Sequence, residues 1–441
     1  MNESIQKLTH VEHILKRPDS YVGPVARVAE PYWLYDNGSF ENKNVLYSPA
    51  LLKIFDEILV NAIDRNSMYP KNVTSLSVSI NKITGEISVE NNGPLGGISV
   101  KMHEKEGLWN PELTFGHLLT STNYDDTQKR LVGGRNGYGA KLTNVYSSKF
   151  CIKIKDGENN LVYTQEWGNN MKRCEQPKIK KYSGSSSCVC VTFIPDWKRF
   201  GMTKMDDSIY KIFEKRVYDA NACTTQNCKV KFQGEPLPKT TFNAYAKMYT
   251  KTDEMCVYTS ERWSVCIAPS NDGFEHVSFV NGICTTKGGS HVDHVSGIIA
   301  NGVIEDMAKK IKEEDEAEEE DRDEEVVHVE LVEELAQRVV VLLEHLEVRL
   351  VVHDLVLIFR NLLLHRLRHA IVLVLLPTRE LALGIYTRAK SMQNAIYGAR
   401  VGSIGNVVHG QQRASGGRGR RGAAPPRRRR CAARPRTTSP R

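Results

Sequence analysis

Within Leu51-Leu-Lys-Ile-Phe-Asp-Glu-Ile-Leu-Val-Asn-Ala-Ile-Asp64, Glu57 and Asn61 stand four residues apart, and Asp64 follows three later. On a helix these positions share one face. An acid so placed accepts a proton from water, while an amide oxygen one turn away holds a Mg²⁺ that neutralises triphosphate charge. The same residues also suit the solvated face of an ordinary amphipathic helix, and the pair alone does not choose between the two.

Two glycine segments add to the pattern. Ile87-Ser-Val-Glu-Asn-Asn-Gly-Pro-Leu-Gly-Gly-Ile98 reads as a strand entering a turn, where Asn91 offers a donor and an acceptor to the edge of a base. Gly133-Gly-Arg-Asn-Gly-Tyr-Gly-Ala-Lys141 places glycines at 134, 137 and 139 before a lysine. Such glycines let backbone N–H groups approach phosphate oxygens, and Lys141 adds a full charge. No Gly-Lys-Ser/Thr follows, so this is not a Walker A loop, and the dinucleotide fingerprint is not matched either.

The elements that must carry these residues are legible from period. Leu51, Ile54, Phe55, Ile58, Leu59 and Ala62 form an apolar stripe, which predicts a helix. Leu76–Ile80 and Cys188–Phe193 read as strands. Residues 1–235 form one mixed α/β unit, and residues 236–312 a second, smaller one that ends in the helical pattern Val292–Lys312. Residues 313–325, with eleven acids, read as a linker, and residues 326–410 stay unassigned, their stretch from Val326 to Leu376 being apolar at nearly every register. Residues 411–441 have the composition of a disordered tail.

Composition narrows the function classes. The chain of 441 residues carries a net charge of +8, but eleven arginines lie within residues 413–441. Without them 49 basic residues face 52 acids, so the folded part is not a basic nucleic-acid platform on charge alone. Ten scattered cysteines without a CxxC pair indicate neither a zinc site nor a disulfide framework. No apolar run reaches the ~18 residues of a membrane span, so a soluble, intracellular chain with no membrane partner is expected.

The order of Glu/Asn helix, Asn-Asn-Gly turn and glycine loop resembles the Bergerat ATP-binding fold of gyrase-type topoisomerases, one class of heat-shock chaperones and histidine kinases. Longer stretches are narrower still: Lys53–Ala62, Leu118-Leu-Thr-Ser-Thr-Asn-Tyr-Asp-Asp126, Gly133–Lys141, Phe279–Asp293 and the opening Leu8–Gly23 resemble the ATPase region of eukaryotic or viral type IIA DNA topoisomerases. The resemblance implies an α+β chain: a Bergerat-type sandwich over 1–235, then part of the α/β transducer domain over 236–312. By it, Glu57 is the general base and Asn61 the Mg²⁺ ligand. Asn91 binds the nucleotide, and Ser121, Thr122 and Asn123 touch ribose and phosphate. Gly134, Arg135, Asn136, Gly137, Tyr138, Gly139, Ala140 and Lys141 form the phosphate loop. ATP and Mg²⁺ are the implied cofactors, DNA and a second copy of the chain the partners, and the nucleus the location, or the cytoplasm for a viral protein.

Departures from the family pattern accompany these matches. Pro94-Leu-Gly96 lengthens the Asn-Asn-Gly turn by two residues, Val189 replaces a threonine, and Arg65 stands where an asparagine commonly follows the aspartate. No Gln-Thr-Lys, whose lysine reaches the γ-phosphate in the family, occurs in the chain, nor does a Glu-Gly-Asp-Ser-Ala metal site. DNA breakage by this chain alone is therefore not expected, and nucleotide binding is expected to survive better than turnover. Residues 313–441 read as unrelated to the family, as a fusion, a wrong splice or a shifted frame would leave them. Leu376-Pro-Thr-Arg-Glu-Leu-Ala-Leu383 resembles motif Ia of DEAD-box helicases without the motifs that would accompany it. The alternative function is a non-catalytic product that binds nucleic acid or a full-length partner.

Overall fold

The structure, a computed structural model, describes residues 5–120, 132–133, 137–270, 273–318 and 370–376. A capping box between Thr9 and Glu12 opens α1 (His10–Lys16). The hairpin of β1 (Val28–Asp36) and β2 (Ser39–Tyr47) turns through Asn37 and Gly38, both at positive φ, as a two-residue type I′ turn requires. Next, α2 (Pro49–Met68) begins at Ser48, whose hydroxyl accepts the Leu51 N–H, with Pro49 in the first helical position. The apolar stripe from Leu51 to Ala62 is buried, as its spacing predicts.

The first sheet grows from β3 (Ser75–Ile80) and β4 (Ile87–Asn92). After α3 (Asn110–Gly116) and α4 (Gly139–Val145) come β5 (Ser147–Asp156), β6 (Leu161–Gly168), β7 (Arg173–Cys174), β8 (Lys178–Lys181) and β9 (Cys188–Pro195). Then follow α5 (Asp207–Cys223), β10 (Lys229–Phe232) and β11 (Glu235–Pro236). The strands run in the order β11-β10-β3-β4-β9-β5-β6-β7, with β8 also on β6, and only β10 and β3 pair in parallel. Alternate residues of β4, β5 and β9 are buried, so one face carries the core. Residues of α2, α4 and α5 pack on that face, which gives the expected two-layer sandwich.

A second sheet follows α6 (Phe242–Thr250). It contains β12 (Cys256–Thr259), β13 (Trp263–Pro269), β14 (Glu275–Val280) and β15 (Ile283–Cys284). Beyond them lie α7 (Ser290–Glu318) and β16 (Ala370–Leu376), and the strand order is β12-β13-β16-β14-β15. Along β13, Cys266 and Ala268 pack with Tyr245 and Tyr249 of α6, whereas Val265 and Ile267 pack with Val292, Val295 and Ile299 of α7. Period-two alternation thus places a helix on each face. Among the described residues no helix is long and apolar enough to cross a membrane.

Two features differ from the sequence expectations. Helix α7 passes Lys312 and runs to Glu318, so the acidic stretch read as linker starts as helix. More consequentially, Ala370–Leu376, read as lying outside both domains, is the central strand of the second sheet, parallel to β13 and antiparallel to β14. A strand paired on both edges in the middle of a sheet reads as a continuous apolar run, which is why no helical face could be found there. The helicase-like segment shares only Leu376 with this strand, and its remainder and the arginine-rich end lie outside the described residues.

Candidate active site

Glu57 sits midway along α2 with its side chain 21% exposed and its Oε1 paired with the Lys53 ammonium one turn earlier. Its other oxygen, Oε2, presses on the first residue of α4. A Cβ added to Gly139 would overlap that oxygen and stand 2.9 Å from the Glu57 Cδ, so a side chain there would push the carboxylate aside. The Thr143 hydroxyl fastens α4 to α2 by donating to the Ile54 carbonyl at 2.8 Å, and Asn144 Nδ2 ties α4 to α3 through the Phe115 carbonyl at 3.1 Å.

The glycine segment is anchored at both ends. The Gly133 N–H donates to Asp64 Oδ1 at 3.0 Å, and Asp64 is buried. Gly137 has φ +65°, a left-handed conformation that glycine adopts without strain. Tyr138 packs edge-on against Tyr21, whose hydroxyl bonds His13, and Ala140 is buried in the core. Lys141 is almost completely buried, its ammonium donating to the Thr120 carbonyl at 2.8 Å. Burial pushes its pKa down to about 8. Gly134, Arg135, Asn136, Ser121, Thr122 and Asn123 lie outside the described residues.

The two asparagines of the turn differ in use. Asn92 accepts the Thr74 and Ser75 N–H groups at 2.9 and 2.8 Å, a structural tie between β3 and β4. Asn91 is buried on the core face, spends one donor on the Asn92 carbonyl at 3.1 Å, and lies opposite Val189 in the β4–β9 ladder. The threonine-to-valine departure therefore falls beside Asn91. Two further departures meet each other: Arg65 donates to the Pro94 carbonyl of the lengthened turn and lies over the Tyr69 ring. The sequence reading does not place Arg65 or Lys53 at the site. The Lys53–Glu57 spacing was visible in the sequence, but a contact between residues 65 and 94 has no local signal.

Asn61 is exposed and makes no side-chain hydrogen bond among the described residues. Its amide oxygen is the hard donor that Mg²⁺ takes, and no cluster of three metal-ligating side chains exists among the described residues. The residues thus fit a cation that draws its remaining ligands from water and phosphate rather than from a protein cage.

Asp56, next to Glu57 on α2, belongs to a different charge cluster. Arg216, fully buried, donates from Nε to Asp56 at 2.8 Å and from Nη1 to Asp219 at 2.9 Å. Lys215 Nζ and the Tyr245 hydroxyl also donate to Asp219, at 2.9 and 2.7 Å. Burial opposes the guanidinium charge, but Asp56 and Asp219 outweigh it and raise the arginine pKa further.

No protein-family model matches the chain. It is 41% identical over 322 residues to DNA topoisomerase 2 of Arabidopsis thaliana, covering 71% of this chain and 22% of the relative. To DNA topoisomerase 2-beta of Mus musculus it is 44% identical over 318 residues, 70% of this chain and 19% of that one. The chain thus spans about a fifth of these curated relatives. Among solved structures, the ATPase region of Saccharomyces cerevisiae topoisomerase II matches with TM-score 0.65 at 39% identity, over 70% of this chain and 82% of that one. The ATPase and transducer domains of DNA topoisomerase II from Balamuthia mandrillaris match with TM-score 0.64 at 32% identity, over 84% of each.

Proposed function

Because the chain belongs to the type II DNA topoisomerase family, matching its ATPase region, we propose that it binds ATP between α2, the Asn91 turn and residues 133–141, and hydrolyses it with Glu57 as general base. One observation carries this reading: the Glu57 carboxylate touches Gly139, the residue with which the glycine segment becomes a helix. An acid in that position faces whatever anion the glycine N–H groups cradle.

The residues divide the work as follows. Glu57 Oε2 takes the proton of the attacking water, while Lys53 holds the other oxygen and fixes the carboxylate's rotamer. Lys141 exchanges the Thr120 carbonyl for a phosphate oxygen, and Asn91 reads the base edge with its remaining amide capacity. Gly134, Arg135, Asn136, Gly137, Tyr138, Gly139 and Ala140 wrap the phosphates, and Ser121, Thr122 and Asn123 contact ribose and phosphate. Asn61 would hold a Mg²⁺, whose chemistry is to neutralise charge on the phosphates. On this reading ATP draws two copies together, the whole family protein passes one DNA duplex through another, and the location is the nucleus.

Calorimetric titration with a non-hydrolysable ATP analogue, beside phosphate release by the parent and by Glu57→Ala, tests the assignment. Both proteins bind the analogue, and the variant loses roughly 10²–10⁴-fold in turnover; no binding at millimolar analogue ends the claim. A second reading, a chain that binds nucleotide without turning it over, rests on the missing Gln-Thr-Lys. Glu57-dependent phosphate release separates the two.

A further inference from the structure

The turn joining β14 to β15 reaches from the second sheet to the proposed ATP site. Asn281 and Gly282 have φ of +50° and +76°, the left-handed pair of a type I′ turn, so the tip is a stiff two-residue loop. Three contacts converge on it. Ile283 lies against Gly133, where an added Cβ would come within 2.7 Å of its Cδ1 and 3.3 Å of Val60 Cγ1 on α2. Gly282 rests on Ile63 of α2, where an added Cβ would stand 2.8 Å from Cγ2. The Gly282 carbonyl accepts from Arg216 Nη2 at 3.4 Å, and Arg216 also holds Asp56, the neighbour of Glu57. The tip therefore touches both the start of the glycine segment and the helix that carries the acid.

We propose that the Val280–Ile283 turn is a positioning element for the ATP site, with Ile283 as the buttress of Gly133, and that loop displacement on nucleotide binding passes through it to the second sheet. This rests on reading residues 133–141 as the phosphate loop. The contact is stiff because Gly133 has no side chain to rotate away and Asp64 grips its N–H from the other side. A shift of the loop therefore moves the hairpin rather than being absorbed locally, since close-packed interiors transmit small displacements. Ile283 acts through Gly133 and never meets the nucleotide.

Hydrogen exchange on the full chain tests this, with peptides spanning residues 276–285 followed with and without saturating Mg²⁺ and AMPPNP, for the parent, Ile283→Ala and Ile283→Val. In the parent the analogue changes protection in the hairpin by roughly fivefold or more. In Ile283→Ala the analogue still binds within about threefold, the hairpin response disappears, and kcat falls by roughly tenfold with KM little changed. Ile283→Val, which removes one methyl group, lies between. A parent saturated with analogue whose hairpin exchange is unchanged overturns the proposal, as does an Ile283→Ala chain that responds like the parent. Failure of the parent to bind AMPPNP at all overturns the nucleotide reading itself and is distinguished by the titration. If neither variant folds, the parent's own response decides.

Discussion

Asp56 and Glu57 are neighbours on one helix and belong to opposite kinds of site. Asp56 looks toward Arg216, in a cluster where Arg216, Lys215, Asp219 and Tyr245 satisfy one another away from water. Glu57 looks toward the glycine segment, partly exposed, with one lysine on one oxygen and a bare Cα against the other, while Asn61 beside it has no described partner. Saturated charges cost much to disturb and are unavailable to a ligand, whereas under-satisfied polar groups at a surface hollow are what a substrate can still engage. The contrast separates scaffold from proposed machinery one residue apart.

Substitutions on either side should break this contrast in opposite ways. Glu57→Ala is expected to abolish most turnover yet shift the melting temperature little, because a partly exposed i,i+4 pair contributes only ~0.5 kcal/mol; differential scanning calorimetry beside phosphate release would read both. Arg216→Met leaves Asp56 without its cation and Asp219 with Lys215 alone, and should destabilise the chain by about 3–5 kcal/mol, visible as an early urea midpoint. A midpoint like the parent's would mean the cluster is not structural.

Lys141 allows a finer comparison, because it is buried like the scaffold but assigned to the machinery. Its pKa of about 8, against an ordinary 10.5, means that from about pH 8 to 10.5 the unfolded chain binds the proton that the folded chain has released. Through this group, stability of the nucleotide-free protein should therefore rise with pH across that window. A phosphate restores the ammonium, so analogue binding near pH 8.5 should take up a fraction of a proton. Titrations in buffers of different ionisation enthalpy measure it, and affinity should weaken as pH climbs past 8. Smallest of all, Lys53→Ala should change stability by less than about 1 kcal/mol and raise kcat or lower it by only a few-fold through the freed carboxylate rotamer.

Much of the candidate site was legible because its residues are local. Glu57 and Asn61 share a helical face, Asn91 precedes its turn, and the glycines announce a backbone without side chains. Partners distant along the chain left no such trace. Asp56 meets Arg216 across two helices, Arg65 meets Pro94 across a strand pair, and Ile283 meets Gly133 across two sheets. Asp64 was placed on the right face, but its grip on the Gly133 N–H appears only in three dimensions. The apolar run ending at Leu376 stayed unassigned for another reason: a strand paired on both edges and a buried helix segment have the same composition.

The position of that run bears on the order in which the molecule assembles. β14 ends at Val280, yet the strand that separates it from β13 begins at Ala370. A nascent chain emerging from the ribosome thus exposes two unpaired strand edges until the later segment arrives. That interval invites edge-to-edge pairing with other chains, so synthesis at low temperature or with chaperones present should favour the closed sheet over aggregates.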